Sequence, residues 1–358
     1  MHKIDFSGIR TDIFVRVIDN FGDAGIAWRL AKDLAGRGSS VRLIIDDPSP
    51  LSFMTDNLRT GNIRVIQWDI FSESGNFSLP NLIIEMFACR LPENYLQACI
   101  SSPIAPKFVN YDYFSAEDWV DRFNGLDSIH PRYRTKKTNF FPGISPRSTP
   151  FIIEEDYAER KKSFDRAQFR KNAGADGFVI FFFAYPFFPT SALSKSVNRT
   201  KRHCTLLLAK GEASRHLASV IVNPLVNVVE LPYFRQETLD EILWASDVNI
   251  VRGEDSAQRA MLAGKPFLWN IYHTPDNAHE AKISAFTDKA REYMGSSPEL
   301  GLWKKAVLSV NKKDCCPEIL SRFLEASSGM SPSFEKFSLL MASRGTFAGR
   351  LAQILKNR

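Results

Sequence analysis

Short runs of β-branched, aliphatic and aromatic residues recur through the whole of this 358-residue chain, each followed by a polar stretch long enough for a crossover. Runs of that kind are buried on both faces, as parallel strands are, and the connectors suit helices packed on the sheet. In the first half they fall at 11–18, 41–45, 63–68, 82–87 and 107–109; in the second at 178–184, 205–209, 226–230, 248–251 and 266–269. A loop-like stretch at 139–150 and a charged segment at 154–171 separate the two series. With about 150 residues to a domain, the chain is expected to form two doubly wound α/β lobes, 1–158 and 159–337. A helical pattern at 338–356 begins a C-terminal segment, 338–358, that packs back across the lobes. The first helix is expected over 25–34, where Ile26, Leu30 and Leu34 share one face and Gly36 and Gly38 supply a stop.

Composition narrows the class. Apolar residues make up 44% and charged residues 24% of the chain, values typical of folded soluble domains. The most apolar stretch, 178–188, contains Pro186 and is far shorter than the ~18 residues a spanning helix needs, so no membrane association is expected. The five cysteines are odd in number, form no C-x-x-C pair and follow no secretory signal, which points to a reducing cytoplasm. Forty-six basic against 40 acidic residues give a net charge of +6 and favour an acidic partner. The basic residues are dispersed, with short clusters only at 132–137 and 201–202, so nucleic acid is not expected to be that partner.

The phosphate-binding, dinucleotide, nucleophile-elbow and zinc-peptidase signatures are all absent, as is any D-x-D that would hold a divalent metal against a nucleotide diphosphate. Several segments remain. Asp19, Asn20, Phe21, Gly22 and Asp23 follow the first strand, where ligands bind in open parallel sheets; alternatively, Asp23 caps a helix and Asp19 forms a turn. Arg252, Gly253, Glu254, Asp255 and Ser256 follow the strand at 248–251, and glycine, hydroxyl, arginine and helix amides there suit phosphate oxygens; alternatively, Asp255 or Ser256 merely caps that helix. Tyr272 follows the strand at 266–269, while Tyr185, Tyr233, Phe234 and Gln236 occupy equivalent strand exits, where aromatic rings can stack a base. Residues 110–113 and 117–119 read as an acceptor wall or a packed turn. His273 and His279, six apart, do not have metal-ligand spacing.

Taken together and in order, the segments at 19–35, 84–92, 110–120, 139–146, 231–237, 252–272 and 276–286 resemble the bacterial elongation factor P arginine rhamnosyltransferase (EarP) family. The resemblance implies two Rossmann-like lobes of glycosyltransferase-B type, with a nucleotide-sugar site in the interlobe cleft. It implies inverting transfer of L-rhamnose from dTDP-β-L-rhamnose to an arginine of elongation factor P, without a metal or other cofactor. Asp19 and Asp23 match the family's two essential aspartates, with Asp23 as the base. Arg252, Glu254, Asp255, Ser256 and Tyr272 match its donor site at the diphosphate, and Tyr185, Tyr233, Phe234 and Gln236 lie near nucleotide and sugar; Asn20, Phe21 and Gly22 are also placed against the donor. The sequence departs from the family at 270–274 (NIYHT) and 148–151.

Chemistry constrains that reading. A guanidinium pKa above ~12 and an aspartate near ~4 differ by roughly 8, so prior deprotonation would cost on the order of 11 kcal/mol. Asp23 is therefore expected to take the proton as the C–N bond forms. A second carboxylate, Asp19 or Glu254, is expected to grip the guanidinium. Two alternatives are a nucleotide-sugar transferase acting on a carbohydrate or lipid carrier, and a nucleotide binder without turnover.

Overall fold

The structure, a computed structural model, describes residues 4–55, 61–75, 77–132, 134–295, 297–312 and 314–356. The chain divides into two compact units, Met1–Ala158 with Arg344–Arg358, and Glu159–Ser343.

In unit 1 the strands β1 (Arg10–Val15), β2 (Ser40–Ile45), β3 (Ile63–Gln67), β4 (Leu82–Met86), β5 (Lys107–Tyr111), β6 (Asp127–Ile129) and β7 (Lys136–Phe140) form one sheet in the order β3-β2-β1-β4-β5-β7-β6. All neighbours are parallel except β6, which runs antiparallel to β7. One face carries Ile13, Val15, Leu43 and Ile84 against Ala27, Leu30 and Leu34 of the helix α1 (Asn20–Gly36). The other carries Phe14, Ile44 and Ile83 against Trp68, Phe71 and Tyr95. Burial on both faces is why these strands read as unbroken apolar runs rather than as alternations.

Unit 2 holds β8 (Phe178–Phe182), β9 (Cys204–Leu208), β10 (Val226–Glu230), β11 (Val248–Arg252) and β12 (Phe267–Asn270), parallel throughout, in the order β10-β9-β8-β11-β12. Three of its helices matter below: α2 (Gln236–Ala245), α3 (Glu254–Ala263) and α4 (Ala278–Met294). In each sheet the chain winds outward in both directions from one adjacent pair of strands, β1/β4 in unit 1 and β8/β11 in unit 2. Beyond the carboxyl ends of such a pair, the loops diverge and leave a crevice.

Three local expectations are corrected. Helix α1 begins at Asn20, not near Gly25, so Asp19 occupies the N-cap position and Asp23 lies inside the first turn. The region 139–150 is not all loop, because β7 runs to Phe140 as part of an edge hairpin. The C-terminal helical pattern is two helices: α5 (Pro317–Ser343) belongs to unit 2, and α6 (Phe347–Lys356) packs on the unit 1 core through Phe347 and Leu351. They are parted at Gly345, whose φ of +88° no continuing helix accommodates, while the Arg344 guanidinium donates to the carbonyls of Gly143 at 2.7 Å and Ser148 at 2.8 Å.

Candidate active site

Asp23 is 2% exposed, yet its carboxylate has donors. Its Oδ2 accepts from the backbone N–H of Ile18 at 2.8 Å and of Asp19 at 2.9 Å. Burial pushes the Asp23 pKa above the ordinary aspartate value and the nearby Asp19 carboxylate adds to that, while the two amides and Tyr113 oppose it. A buried, hydrogen-bonded carboxylate that holds a proton more readily than a solvated one is suited to acting as a base.

Asp19 caps no amide with its side chain. Instead it lies against Gly22, where an added Cβ would sit 2.5 Å from Asp19 Oδ2, so glycine is what lets the two aspartates share this turn. The capping role considered for Asp23 is thus not what the structure uses it for. The side chains of Asn20 and Phe21 lie outside the described residues.

The backbone around this turn is unusual in one further place. Phe87 and Ala88, which follow β4 directly, and Arg90 all have φ between +50° and +55°. Non-glycine residues rarely adopt this left-handed conformation, which at about 1–3 kcal/mol each tends to collect at functional sites. The Phe87 ring stacks on Tyr113, with centroids 4.3 Å apart and planes 13° apart. Residues 110–113 thus carry the tyrosine that packs on the left-handed turn after β4.

In unit 2 the exits of β8 and β11 bring Tyr185 and Arg252 together. The Arg252 guanidinium lies 4.5 Å from the Phe183 ring centroid and 5.0 Å from that of Tyr185. Gly253, at φ +65° and ψ −178°, takes a backbone conformation essentially reserved for glycine and turns the chain into α3. Gly253 occupies the N-cap position of that helix, so neither Asp255 nor Ser256 does. Amides of the first turn of α3 and the Arg252 side chain thus stand at one strand exit, an arrangement that attracts oxyanions.

Glu254 forms an ion pair with Lys282 of α4. The carboxylate expected to grip an acceptor guanidinium thus has a cation beside it within unit 2. Tyr272 is 41% exposed and meets Tyr185 edge to face at 5.7 Å. Tyr233 is 52% exposed with the Lys210 ammonium 4.9 Å from its ring, whereas Phe234 packs edge-on towards Phe181 at 6.3 Å and Gln236 is buried in the first turn of α2. Ser256 is likewise buried.

Asn270, one of the departures from the family pattern, has a structural duty. Its Oδ1 accepts from the Tyr185 N–H at 2.9 Å, and its Nδ2 donates to Asn311 at 3.2 Å. His273 is stacked between Phe187, 3.9 Å away, and His279, 4.2 Å away; burial and His279 both lower its pKa. Among the described residues, no group of three or more His, Cys, Asp or Glu side chains is placed to hold a metal ion. Lys282 and Asn311 escaped the sequence reading because each acts across a large separation with no local motif around it.

The family model described as elongation factor P (EF-P) rhamnosyltransferase EarP matches residues 11–356. The chain belongs to the EarP family. A protein-arginine rhamnosyltransferase of Pseudomonas putida is 33% identical over 324 residues, covering 82% of this chain and 85% of that one. One from Neisseria meningitidis serogroup B is 33% identical over 309 residues, covering 78% of each chain. A solved structure described as a basis for EarP-mediated arginine glycosylation of translation elongation factor EF-P superposes with a TM-score of 0.67 at 22% identity, covering 98% of this chain and 99% of that one. The glycotransferase of kitacinnamycin gives 0.55 at 12% identity, covering 98% of each. This EarP-family protein is a glycosyltransferase, and its two parallel-sheet units have the fold of the B type.

Proposed function

We propose that this EarP-family enzyme transfers L-rhamnose from dTDP-β-L-rhamnose to an arginine of elongation factor P, with inversion at the anomeric carbon. The observation that carries the reading is the buried Asp23 carboxylate at the β1/β4 switch point, bracketed by two amides and raised in pKa. The names of the relatives, protein-arginine rhamnosyltransferases, support the choice of acceptor group and sugar.

In this reading the acceptor guanidinium nitrogen attacks the anomeric carbon, the bond from that carbon to the diphosphate breaks, and the nitrogen's proton passes to Asp23. Because a free guanidinium is so much more basic than a carboxylate, proton transfer accompanies C–N bond formation rather than preceding it. Asp19, beside Asp23, orients the guanidinium. Arg252 and the first-turn amides of α3 take up the negative charge that develops on the departing diphosphate, while Tyr185, Tyr272 and Tyr233 supply aromatic surface for nucleotide and sugar.

With that charge carried by the chain's own donors, transfer in excess EDTA is expected to proceed at the untreated rate; a strict requirement for added magnesium would overturn this division of labour. The test of the function is the intact mass of elongation factor P after incubation with enzyme and dTDP-β-L-rhamnose. A gain of one deoxyhexose on an arginine is expected; no gain on a competent acceptor, or transfer to free sugars instead, would overturn it.

The net charge of +6 suits an acidic protein acceptor. The cluster at 132–137 contributes less to steering than its sequence suggests, because Arg132 pairs with Glu93 at 3.0 Å, Lys136 with Asp127 at 3.9 Å and Lys137 with Glu85 at 3.0 Å; Tyr133 lies outside the described residues. An acceptor that serves translation places the reaction in the cytoplasm, and no described helix is long and apolar enough to cross a membrane.

A further inference from the structure

We propose that Asn311 is a positioning residue for the nucleotide-sugar donor: its side-chain amide sets the exits of β12 and β8, and with them the Tyr272 and Tyr185 rings. The inference rests on the reading that the donor lies at the strand exits of unit 2. Hydrogen bonds within that unit carry it.

β12 is the outermost strand of its sheet, so the backbone groups along one of its edges must find partners outside the sheet. Side chains supply them here. The Trp303 indole N–H, from the helix Pro298–Ser309, donates to the Phe267 carbonyl at 2.7 Å. Two residues further along the strand, Asn311 Nδ2 donates to the Trp269 carbonyl at 2.8 Å, while its Oδ1 accepts from the Ile271 N–H at 2.9 Å. In a parallel ladder one residue of a neighbouring strand bonds the residues on either side of its partner in the same way. The Asn311 amide therefore acts as a one-residue strand alongside Asn270, where β12 ends and the segment carrying Tyr272 begins.

The same amide orients a second one. Asn311 Nδ2 also donates to the Val307 carbonyl at 2.8 Å, and its backbone N–H to the Leu308 carbonyl at 3.4 Å, which fixes the residue to the end of its own helix. An amide oxygen that already accepts from Ile271 can take one more donor, so Asn270 turns its NH2 towards it. Asn270 Nδ2 donates to Asn311 Oδ1 at 3.2 Å, and Asn270 Oδ1 is left to accept from the Tyr185 N–H at 2.9 Å. Both asparagines are buried, which shields this relay from water. It joins two loops that are not sheet neighbours, because β11 lies between β8 and β12. The rings it holds meet each other edge to face at 5.7 Å, and the Arg252 guanidinium at the β11 exit lies 5.0 Å from one of them.

The test is dTDP titration and steady-state transfer to elongation factor P by Asn311→Ala, with Trp303→Phe as the comparison. Trp303→Phe removes a bond to the same edge of β12, but at its start rather than its exit. Without Asn311 the exits hold the binding arrangement only part of the time, and apparent affinity falls by that fraction. At a fraction of about one-tenth, the dTDP Kd and the KM for dTDP-β-L-rhamnose rise about tenfold, with the KM for elongation factor P unchanged. Trp303→Phe should leave both donor constants within about twofold of wild type, whatever stability it loses. In a Tyr272→Ala background, Asn311→Ala should weaken dTDP binding less than it does alone, because its effect runs through that ring. Asn270→Ala, which cuts the relay but spares both edge bonds of Asn311, should raise the donor constants by a smaller factor and decides the matter should Asn311→Ala not fold.

An Asn311→Ala enzyme, or an Asn270→Ala enzyme where the first does not fold, with donor constants within about twofold of wild type would overturn the inference. So would an equal rise in Trp303→Phe, or strictly additive effects of Asn311→Ala and Tyr272→Ala, which are what a merely structural residue gives. A wild-type enzyme that binds no dTDP would instead overturn the donor assignment of the proposed function, and this inference with it.

Discussion

Asp23→Asn is expected to lower kcat for rhamnose transfer by about three orders of magnitude, within the 10²–10⁴ range of general base catalysis, while leaving dTDP affinity within a few-fold. Three decades correspond to about 4 kcal/mol of transition-state stabilisation. The asparagine oxygen can still accept from the Ile18 and Asp19 amides, so the start of α1 should persist. What disappears is the capacity to take the proton.

The same substitution makes a second prediction, in stability. Burial raises the folded-state pKa of Asp23 above its unfolded value. The stability contribution of such a group is fully present below the unfolded pKa, near 4, and is lost as pH rises through the folded one. At neutral pH the wild type therefore bears the cost of a buried charge that the variant lacks. Asp23→Asn should be as stable as wild type or more so at pH 7, and the difference should shrink towards pH 4. Activity lost together with dTDP affinity, or stability lost at pH 7, would show that Asp23 is a structural residue instead. The acid limb of wild-type activity should lie above the ordinary aspartate range for the same reason.

Much of the fold was legible because parallel strands buried on both faces announce themselves as apolar runs, as in residues 178–182 and 82–86. The β6/β7 hairpin was not, because Lys136–Phe140, one strand in from the sheet edge, is half-exposed with polar residues at most positions. The start of α1 was misplaced because aspartate, asparagine and glycine favour turns locally, and only packing of the helix on β1 and β2 overrides that preference. Residues at strand exits could be singled out from sequence, but which exits adjoin could not. Strand order decides that, and it is what sets Arg252 beside Tyr185 and the Phe87 turn beside Tyr113. The commitment of Glu254 to Lys282 was hidden for a simpler reason: the partner lies 28 residues away on another helix.

Asp240→Ala is expected to produce the largest loss of stability, about 3–5 kcal/mol, as expected when one partner of a buried ion pair is removed. Asp240 on α2 and Arg259 on α3 have side chains only 1% exposed, and the Arg259 Nε donates to Asp240 Oδ1 at 2.7 Å while its Nη2 bonds the other oxygen. Arg160 adds a third charge at 3.2 Å. Truncating the aspartate removes the carboxylate that two cations share, one of them with a side chain only 1% exposed. The consequence reaches the site because Arg259 lies on the same helix as Glu254, Asp255 and Ser256, so the pair anchors α3 against α2 and with it the amides proposed to meet the diphosphate. Asp240→Ala should therefore also weaken dTDP binding, by about tenfold or more if α3 shifts enough to lose one charge-assisted contact. Urea denaturation and dTDP titration of the same preparation separate the two effects. Stability within ~1 kcal/mol of wild type would refute the burial of an essential pair. Reduced stability with unchanged dTDP affinity would show that α3 is held in register by its packing alone, through Ala257, Ala260 and Met261, and that the ion pair serves the core rather than the site.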